Sequence, residues 1–169
     1  RRSLDRLGVL DGSVGEYDGA NLPSAVGTFD RVLVDAPCSG EGTTRKRAEG
    51  WEPEAGRYDD GLVGVQRALL RRGLRLCRPG GLVAYATCTY APEENEAIVE
   101  DVLVDLTDRL GLTFELLPAR IDGVVSAPGV TEWQGRSFRD GMARAMRIWP
   151  HQNDTGGFFV ALIRKGEAS

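Results

Sequence analysis

Arg31-Val32-Leu33-Val34-Asp35-Ala36-Pro37-Cys38 is the stretch on which the fold turns. The continuous apolar run from Val32 to Val34, bounded by polar residues, reads as a strand of a parallel sheet, buried on both faces and ending at Asp35. Downstream, Leu62, Val65, Leu69 and Leu76 recur at helical spacing as far as Cys77, and Arg78-Pro79-Gly80-Gly81 stops that helix. Leu82 to Ala86 follows as a second buried strand, ending at Thr87-Cys88. Upstream, Val14 to Tyr17 reads as a short strand ending at Asp18.

The alternation continues toward the C-terminus. Pro92 opens a helix whose first turn carries Glu93, Glu94 and Glu96, complementing the positive end of the helix dipole. Its apolar stripe is Ile98, Val102, Leu106 and Leu110. Leu112 to Leu117 is a third strand, and Arg147-Ile148-Trp149 with Phe158 to Ile163 forms a closing antiparallel hairpin. The expected fold class is therefore α/β, an open doubly wound sheet with an antiparallel end. One domain spans residues 1–169, with 43–61 and 119–145 read as loops.

Composition narrows the function. The chain has 169 residues, 41% apolar and 27% charged, enough for a core and unlike a disordered tail. No run reaches the length needed to cross a bilayer and no secretory signal is evident, so a soluble, intracellular protein without a membrane partner is expected. Three scattered cysteines and one histidine, without a Cys-x-x-Cys pair, argue against a disulfide framework and against a metal site. A net charge of −4 argues against coating nucleic acid by bulk charge, although basic side chains outnumber acidic ones between residues 36 and 80. The chain begins with Arg1, not Met, and is expected to be a fragment.

Ligands of open α/β sheets bind beyond the carboxyl ends of the strands, where this sequence places Asp18, Asp35, Cys38 and Cys88. If the strands ending at Asp35 and Ala86 are neighbours, their axes lie about 4.8 Å apart and both thiols face one ligand. Taken singly, each cysteine would be an ordinary small buried hydrophobe, which is the reading for Cys77. His151 either pairs with Cys88 in a hydrolase-like dyad or is a plain loop residue. Arg45, Lys46 and Arg47 either contact nucleic-acid phosphates or form a solvated loop. Trp51 and Tyr58 either stack on bases or anchor that loop, and the stretch from Ile121 to Arg144 either orders on a ligand or stays disordered.

Two segments carry a family resemblance. Asp35-Ala36-Pro37-Cys38-Ser39-Gly40-Glu41-Gly42-Thr43 and, fifty residues on, Thr87-Cys88-Thr89-Tyr90-Ala91-Pro92-Glu93-Glu94-Asn95-Glu96 resemble the RNA cytosine-5 methyltransferases of the Sun-domain family. Arg147-Ile148-Trp149-Pro150-His151 and Thr155-Gly156-Gly157-Phe158-Phe159-Val160-Ala161 are similar to its C-terminal ending. The resemblance implies a class I methyltransferase (Rossmann-like) sheet of strand order 3-2-1-4-5-7-6, S-adenosylmethionine as cofactor, transfer or ribosomal RNA as partner and a cytoplasmic location. It implies Cys88 as the nucleophile toward cytosine carbon 6 and Cys38 as the thiol that assists proton removal and product release. Asp35 maps to the junction of methionine moiety and cytosine and Asp18 to the adenine, with Pro37 beside Asp35 on the substrate side; Arg45, Lys46 and Arg47 are candidate substrate contacts by their charge alone. The base must leave its stack to enter.

The glycine-rich turn after strand 1 has no counterpart in the sequence. Strands 1 and 2 are thus expected to be missing, the chain alone is expected to be inactive, and the strand from Arg31 to Asp35 is expected to present a bare edge. An N-terminal half, in cis or in trans, would cover it. The alternative is a non-catalytic remnant or accessory module that contacts RNA without holding the cofactor.

Overall fold

Val32 and Val34 belong to β1 (Phe29–Asp35), which pairs in parallel with β2 (Cys77–Thr87). Val32 stands opposite Val83, Val34 opposite Tyr85 and Asp35 opposite Ala86, so both strands end side by side. The structure, a computed structural model, describes residues 6, 8, 11–46 and 60–167. A parallel pair needs a crossover, and α1 (Asp60–Leu76) supplies it. Its fully buried Gln66, Leu70 and Leu74 form the inner stripe. Gly73 is where this helix comes closest to the sheet, since a Cβ there would stand 2.8 Å from Val34 Cγ2.

β2 pairs on its other side with β8 (Phe158–Lys165), antiparallel, with Val83 opposite Ile163 and Thr87 opposite Phe159. β3 (Phe114–Leu117) and β7 (Met146–Ile148) share the far edge of β8, and β4 (Ala127–Pro128) pairs with β7. The run β1-β2-β8-β3 is the 4-5-7-6 portion of the expected order, and the hairpin expected from Arg147 and Phe158 is β7 with β8. α2 (Glu96–Leu110) lies beside α1, and Ile98, Val99, Val102, Leu103 and Leu106 join Val83, Tyr85 and Phe159 in one core. Lys165 reaches back through this layer to donate to the carbonyls of Leu74 (3.1 Å) and Cys77 (2.7 Å) at the end of α1. Burial lowers the pKa of its ammonium.

Several expectations need correction. Val32 to Val34 is covered on one face only: Leu33 is 71% exposed, because both long helices sit on the opposite face and β1 is the edge strand among the described residues. Val14 to Tyr17 is exposed and not a strand, with no ladder partner among the described residues. The first helix ends at Leu76, and Cys77 already pairs with Phe29 as the first residue of β2. Residues 92–95 form a turn closed by Asn95 N–H on Pro92 O (3.2 Å), so the second helix begins only at Glu96. Glu93 and Glu94 therefore precede the helix, Glu96 is the acid of its first turn as expected, and Glu94 and Glu96 are both buried. Leu110, at the end of the stripe, is exposed.

The stretch read as a loop at 119–145 carries β4, the hairpin of β5 (Glu132–Trp133) with β6 (Arg136–Ser137), and a 3-10 turn at Met142–Arg144. It is held by single anchors, Met142 and Phe138 in the core and Arg139 on Glu100 of α2 (2.9 Å), and so has no periodicity to read. In the other expected loop, residues 47–59 lie outside the described residues, and its start belongs to the 3-10 turn Glu41–Lys46.

The one-sided core makes a direct prediction. Leu74→Ala removes a fully buried side chain and is expected to cost about 2–5 kcal/mol in urea unfolding. Leu33→Ala, on the open face, is expected to stay within about 0.5 kcal/mol. Equal losses would contradict the placement of the core.

Candidate active site

Where β1 and β2 end side by side, their continuations meet. Cys38, three residues past β1, and Cys88, the first residue past β2, have their sulfurs 3.1 Å apart, both as free thiols and both half-buried. Cys88 N–H also donates to Cys38 Sγ (3.2 Å). Burial, and then the hydrogen bond and charge of Cys88, push the Cys38 thiol up to about 12. Cys38 thus holds its proton where an ordinary thiol would give it up, and can share that proton with Cys88.

The two loops are stitched along their length. Gly42 N–H donates to Cys88 O (2.8 Å), and Gly157 N–H to Gly42 O (2.9 Å). A side chain on Gly42 would collide with both, its Cβ falling 2.3 Å from Gly157 O and 2.8 Å from Cys88 O. The hydroxyls of Ser39 and Thr89 share a hydrogen bond (2.8 Å), while Glu41 Oε2 accepts from Thr89 Oγ1 (3.1 Å) and Tyr90 N–H (3.3 Å). Behind Cys88, Thr87 Oγ1 donates to Asn95 Oδ1 (2.5 Å) and Asn95 Nδ2 to Thr89 O (3.1 Å). Tyr85, whose hydroxyl burial keeps protonated, donates to Glu94 O (2.7 Å).

The wall of the site comes from the C-terminal hairpin. Arg147 forms a fork on buried Glu96, with Nε on Oε1 at 2.8 Å and Nη2 on Oε2 at 2.5 Å, and its Nη1 donates to Tyr90 O (2.9 Å). Tyr90 stacks on Trp149 at 4.9 Å between ring centroids, an aromatic face beside the thiol loop.

Of the residues expected at the site, Cys38, Cys88, Asp35 and Pro37 are brought together. Asp35 ends β1 with an exposed side chain that has no partner among the described residues, and Pro37 O is held by Gln66 Nε2 (2.8 Å). Asp18 stands elsewhere, capping the 3-10 turn Gly19–Asn21 with bonds from Ala20 N–H (3.0 Å) and Asn21 Nδ2 (2.6 Å); this turn rests on α1. No described contact joins it to the thiols. Arg45 and Lys46 lie in the 3-10 turn Glu41–Lys46 that leaves the Cys38 loop. Arg47, Trp51 and Tyr58 lie outside the described residues. His151 is exposed, 6.4 Å from the Trp149 ring and without a bond to Cys88, so the hydrolase-like dyad is not formed. Among the described residues no cluster of three or more metal-ligating side chains occurs, and no helix is long and apolar enough to cross a membrane.

Sequence reasoning missed Gln66, Glu41, Glu94 and Asn95. One signal was available: Gln66 falls at i and i+4 spacing between Leu62 and Leu70, a polar residue on the apolar stripe of a helix.

Comparison with known proteins identifies the family. Residues 1–164 match the family described as 16S rRNA methyltransferase RsmB/F, and the chain belongs to that family. It is 39% identical over 166 residues to the tRNA (cytosine(49)-C(5))-methyltransferase of Pyrococcus abyssi, covering 96% of this chain and 50% of the relative. It is 31% identical over 178 residues to the multisite-specific tRNA:(cytosine-C(5))-methyltransferase of Saccharomyces cerevisiae, covering 90% and 26%. Among solved structures, a methyltransferase homologue from Pyrococcus horikoshii superposes with a TM-score of 0.74 at 32% identity, over 97% of this chain and 48% of that one. NSun6 from the same organism, a structure with SFG, gives 0.71 at 29%, over 99% and 38%. The chain thus spans half or less of the length of these relatives.

Two outcomes follow from the site. Arg147→Met strands the carboxylate of Glu96, which is fully buried, and is expected to cost about 3–5 kcal/mol in thermal or urea unfolding; a neutral result would contradict the buried pair. Alkylation of Cys38 by iodoacetamide is expected to climb still at pH ~10, where an ordinary thiol is largely saturated. Cys88→Ala is expected to shift that profile to lower pH, because the hydrogen bond and charge of Cys88 are lost. Saturation near pH ~9 in the intact protein would contradict the raised pKa.

Proposed function

We propose that this chain is the thiol-bearing portion of an S-adenosylmethionine-dependent RNA (cytosine-5)-methyltransferase, with Cys88 as nucleophile and Cys38 as its proton-handling partner. The observation that carries this reading is the pair of thiols 3.1 Å apart, one from each of two motif loops. The family and its cytosine-C5-methylating relatives support the same reaction class.

The residues present offer such a cofactor two acidic contacts. Asp35 has an exposed carboxylate without a partner at the carboxyl end of β1, and Asp18, though it caps a turn, accepts only one bond on each oxygen. Asp35 would hold the methionine end and Asp18 the adenine. When bound, the cofactor supplies an electrophilic methyl group.

The chain's own residues do the rest. Cys88, as thiolate, adds to carbon 6 of cytosine and pushes the ring electrons toward carbon 5, which becomes nucleophilic enough to be methylated. Cys38 keeps its proton while Cys88 is charged, the direction in which the shift runs. Once Cys88 is bound as a thioether its charge is gone, and that part of the upward push on Cys38 goes with it. Cys38, now able to ionise, releases its own proton to solvent and as thiolate takes the proton from carbon 5; the C–H electron pair restores the carbon 5–carbon 6 double bond as the Cys88–carbon 6 bond breaks and its electron pair returns to Cys88. Tyr90 and Trp149 offer the flipped base an aromatic surface, and Arg45, Lys46 and Arg47 take the flanking phosphates. The outer edge of β1, without a strand partner among the described residues, is where the rest of the sheet adds, supplied in cis or in trans.

The test is calorimetric binding of S-adenosylmethionine by this chain and by the chain joined to its upstream coding sequence, followed by methyl transfer to RNA. Binding and transfer are expected in the joined protein. Cys88→Ala should abolish transfer, and Cys38→Ala should slow turnover by about 10²–10⁴ while a covalent protein–RNA adduct accumulates. No transfer in the joined protein would overturn the reading in favour of an accessory RNA-contacting module.

A further inference from the structure

Gln66 and Glu94 are both almost wholly inaccessible and belong to neither cysteine loop's reacting tip. They flank Cys38 from the two sides of its backbone. Gln66 Nε2 donates to the carbonyl of Pro37, the residue before Cys38 (2.8 Å), and Ser39 N–H, the residue after it, donates to Glu94 Oε2 (3.0 Å). A third bond, from Gln66 Nε2 to Glu94 Oε2 (2.7 Å), closes the bracket. Glu94 lies on the same segment as Cys88 and is itself held by the Tyr85 hydroxyl on its carbonyl (2.7 Å). The bracket therefore ties α1, the Cys38 loop and the Cys88 loop together behind the sulfurs.

The arrangement is poor as a device for stability. The second oxygens, Gln66 Oε1 and Glu94 Oε1, are buried with no hydrogen-bond partner, and such groups are costly and uncommon. An apolar pair of the same shape would avoid that cost. What the polar pair provides and an apolar one does not is direction: a donor aimed at Pro37 O and an acceptor aimed at Ser39 N–H.

We infer that Gln66 and Glu94 are positioning residues that clamp the peptides on both sides of Cys38 and thereby set the distance of its sulfur from Cys88. The inference rests on the reading of these thiols as the reacting pair, since the distance matters only if Cys38 must reach the carbon 5 proton of a base held on Cys88. A displacement of about 1 Å at a reacting centre is enough for a loss of about a hundredfold.

The clamp is tested without catalysis, in the full 169-residue chain, by the rate at which diamide closes a Cys38–Cys88 disulfide. Two thiols lose two hydrogens, which the diazene takes up to become a hydrazine, so the rate reports the approach of the sulfurs. Gln66→Glu changes one donor group into an acceptor facing Pro37 O and Glu94; closure is expected to slow at least tenfold. Gln66→Met, of similar length and uncharged, is expected to slow it as well, which serves if the first variant does not fold by circular dichroism. Glu94→Ala should slow closure, and the conservative Glu94→Gln, which keeps an acceptor for Ser39 N–H, should restore most of the rate. Wild-type closure rates in folded Gln66→Met and Glu94→Ala would overturn the inference.

In the joined enzyme, Gln66→Met is expected to lower kcat with the KM for cofactor unchanged and to accumulate the covalent RNA adduct as Cys38→Ala does. A rise in KM with kcat intact would overturn the positioning role. If the wild-type joined protein transfers no methyl group, the methyltransferase reading fails, while the disulfide rates still decide the clamp.

Discussion

The parallel pairing of β1 with β2 is the constraint on which the rest of the site depends. With Asp35 opposite Ala86, two strands leave the sheet at the same level. Adjacent strands are about 4.8 Å apart, so residues just beyond their ends meet without any long-range search. An antiparallel pairing would have sent Cys38 and Cys88 to opposite ends of the strand pair. The parallel pair also obliges the chain to cross over, and the helix that makes the crossing brings Gln66 behind the Cys38 loop. One topological choice thus delivers the reactive pair and a support for it.

The second organising feature is buried polarity. Arg147 with Glu96, Gln66 with Glu94, and Thr87 with Asn95 are buried where Phe159 stands opposite both Thr87 and Arg147, whose guanidinium lies 5.7 Å over its ring. Each such group loses hydration on burial and recovers it only through its partner. Apolar contacts tolerate sliding, whereas forks such as Arg147 on Glu96 do not. This is how the C-terminal hairpin, nearly sixty residues beyond Cys88, is tied to the loop that carries it, with Arg147 donating to Tyr90 O. The raised Cys38 thiol belongs to the same economy of burial, since removal from water is its largest cause.

Elements were legible in the sequence where one physical pattern governed many consecutive residues. The α1 stripe, the β2 run and the β7–β8 hairpin are of this kind; the limits of α1 and the hairpin moved by one or two residues, while β2 begins at Cys77, five residues before the expected Leu82. Legibility failed where single contacts decide. Val14 to Tyr17 has the composition of a strand, but a strand exists only as half of a pair. Glu94 followed Pro92 as a first-turn acid should, yet the chain makes one further turn before the helix opens at Glu96 and buries both carboxylates. Residues 119–145 have no period, because they are held at points such as Arg139 on Glu100.

By itself the sequence determined the fold class, the order of its elements and the two cysteine segments, since hydrophobic period and motif spacing are properties of the chain read in one dimension. Only the tertiary structure decided that the sulfurs touch, that His151 stays out, that Asp18 caps a turn resting on α1, and that one face of β1 is bare. The reason is the same in each case. Distance, burial and the pairing of a carboxylate with a donor fifty residues away are set by how elements pack, and no local pattern encodes them.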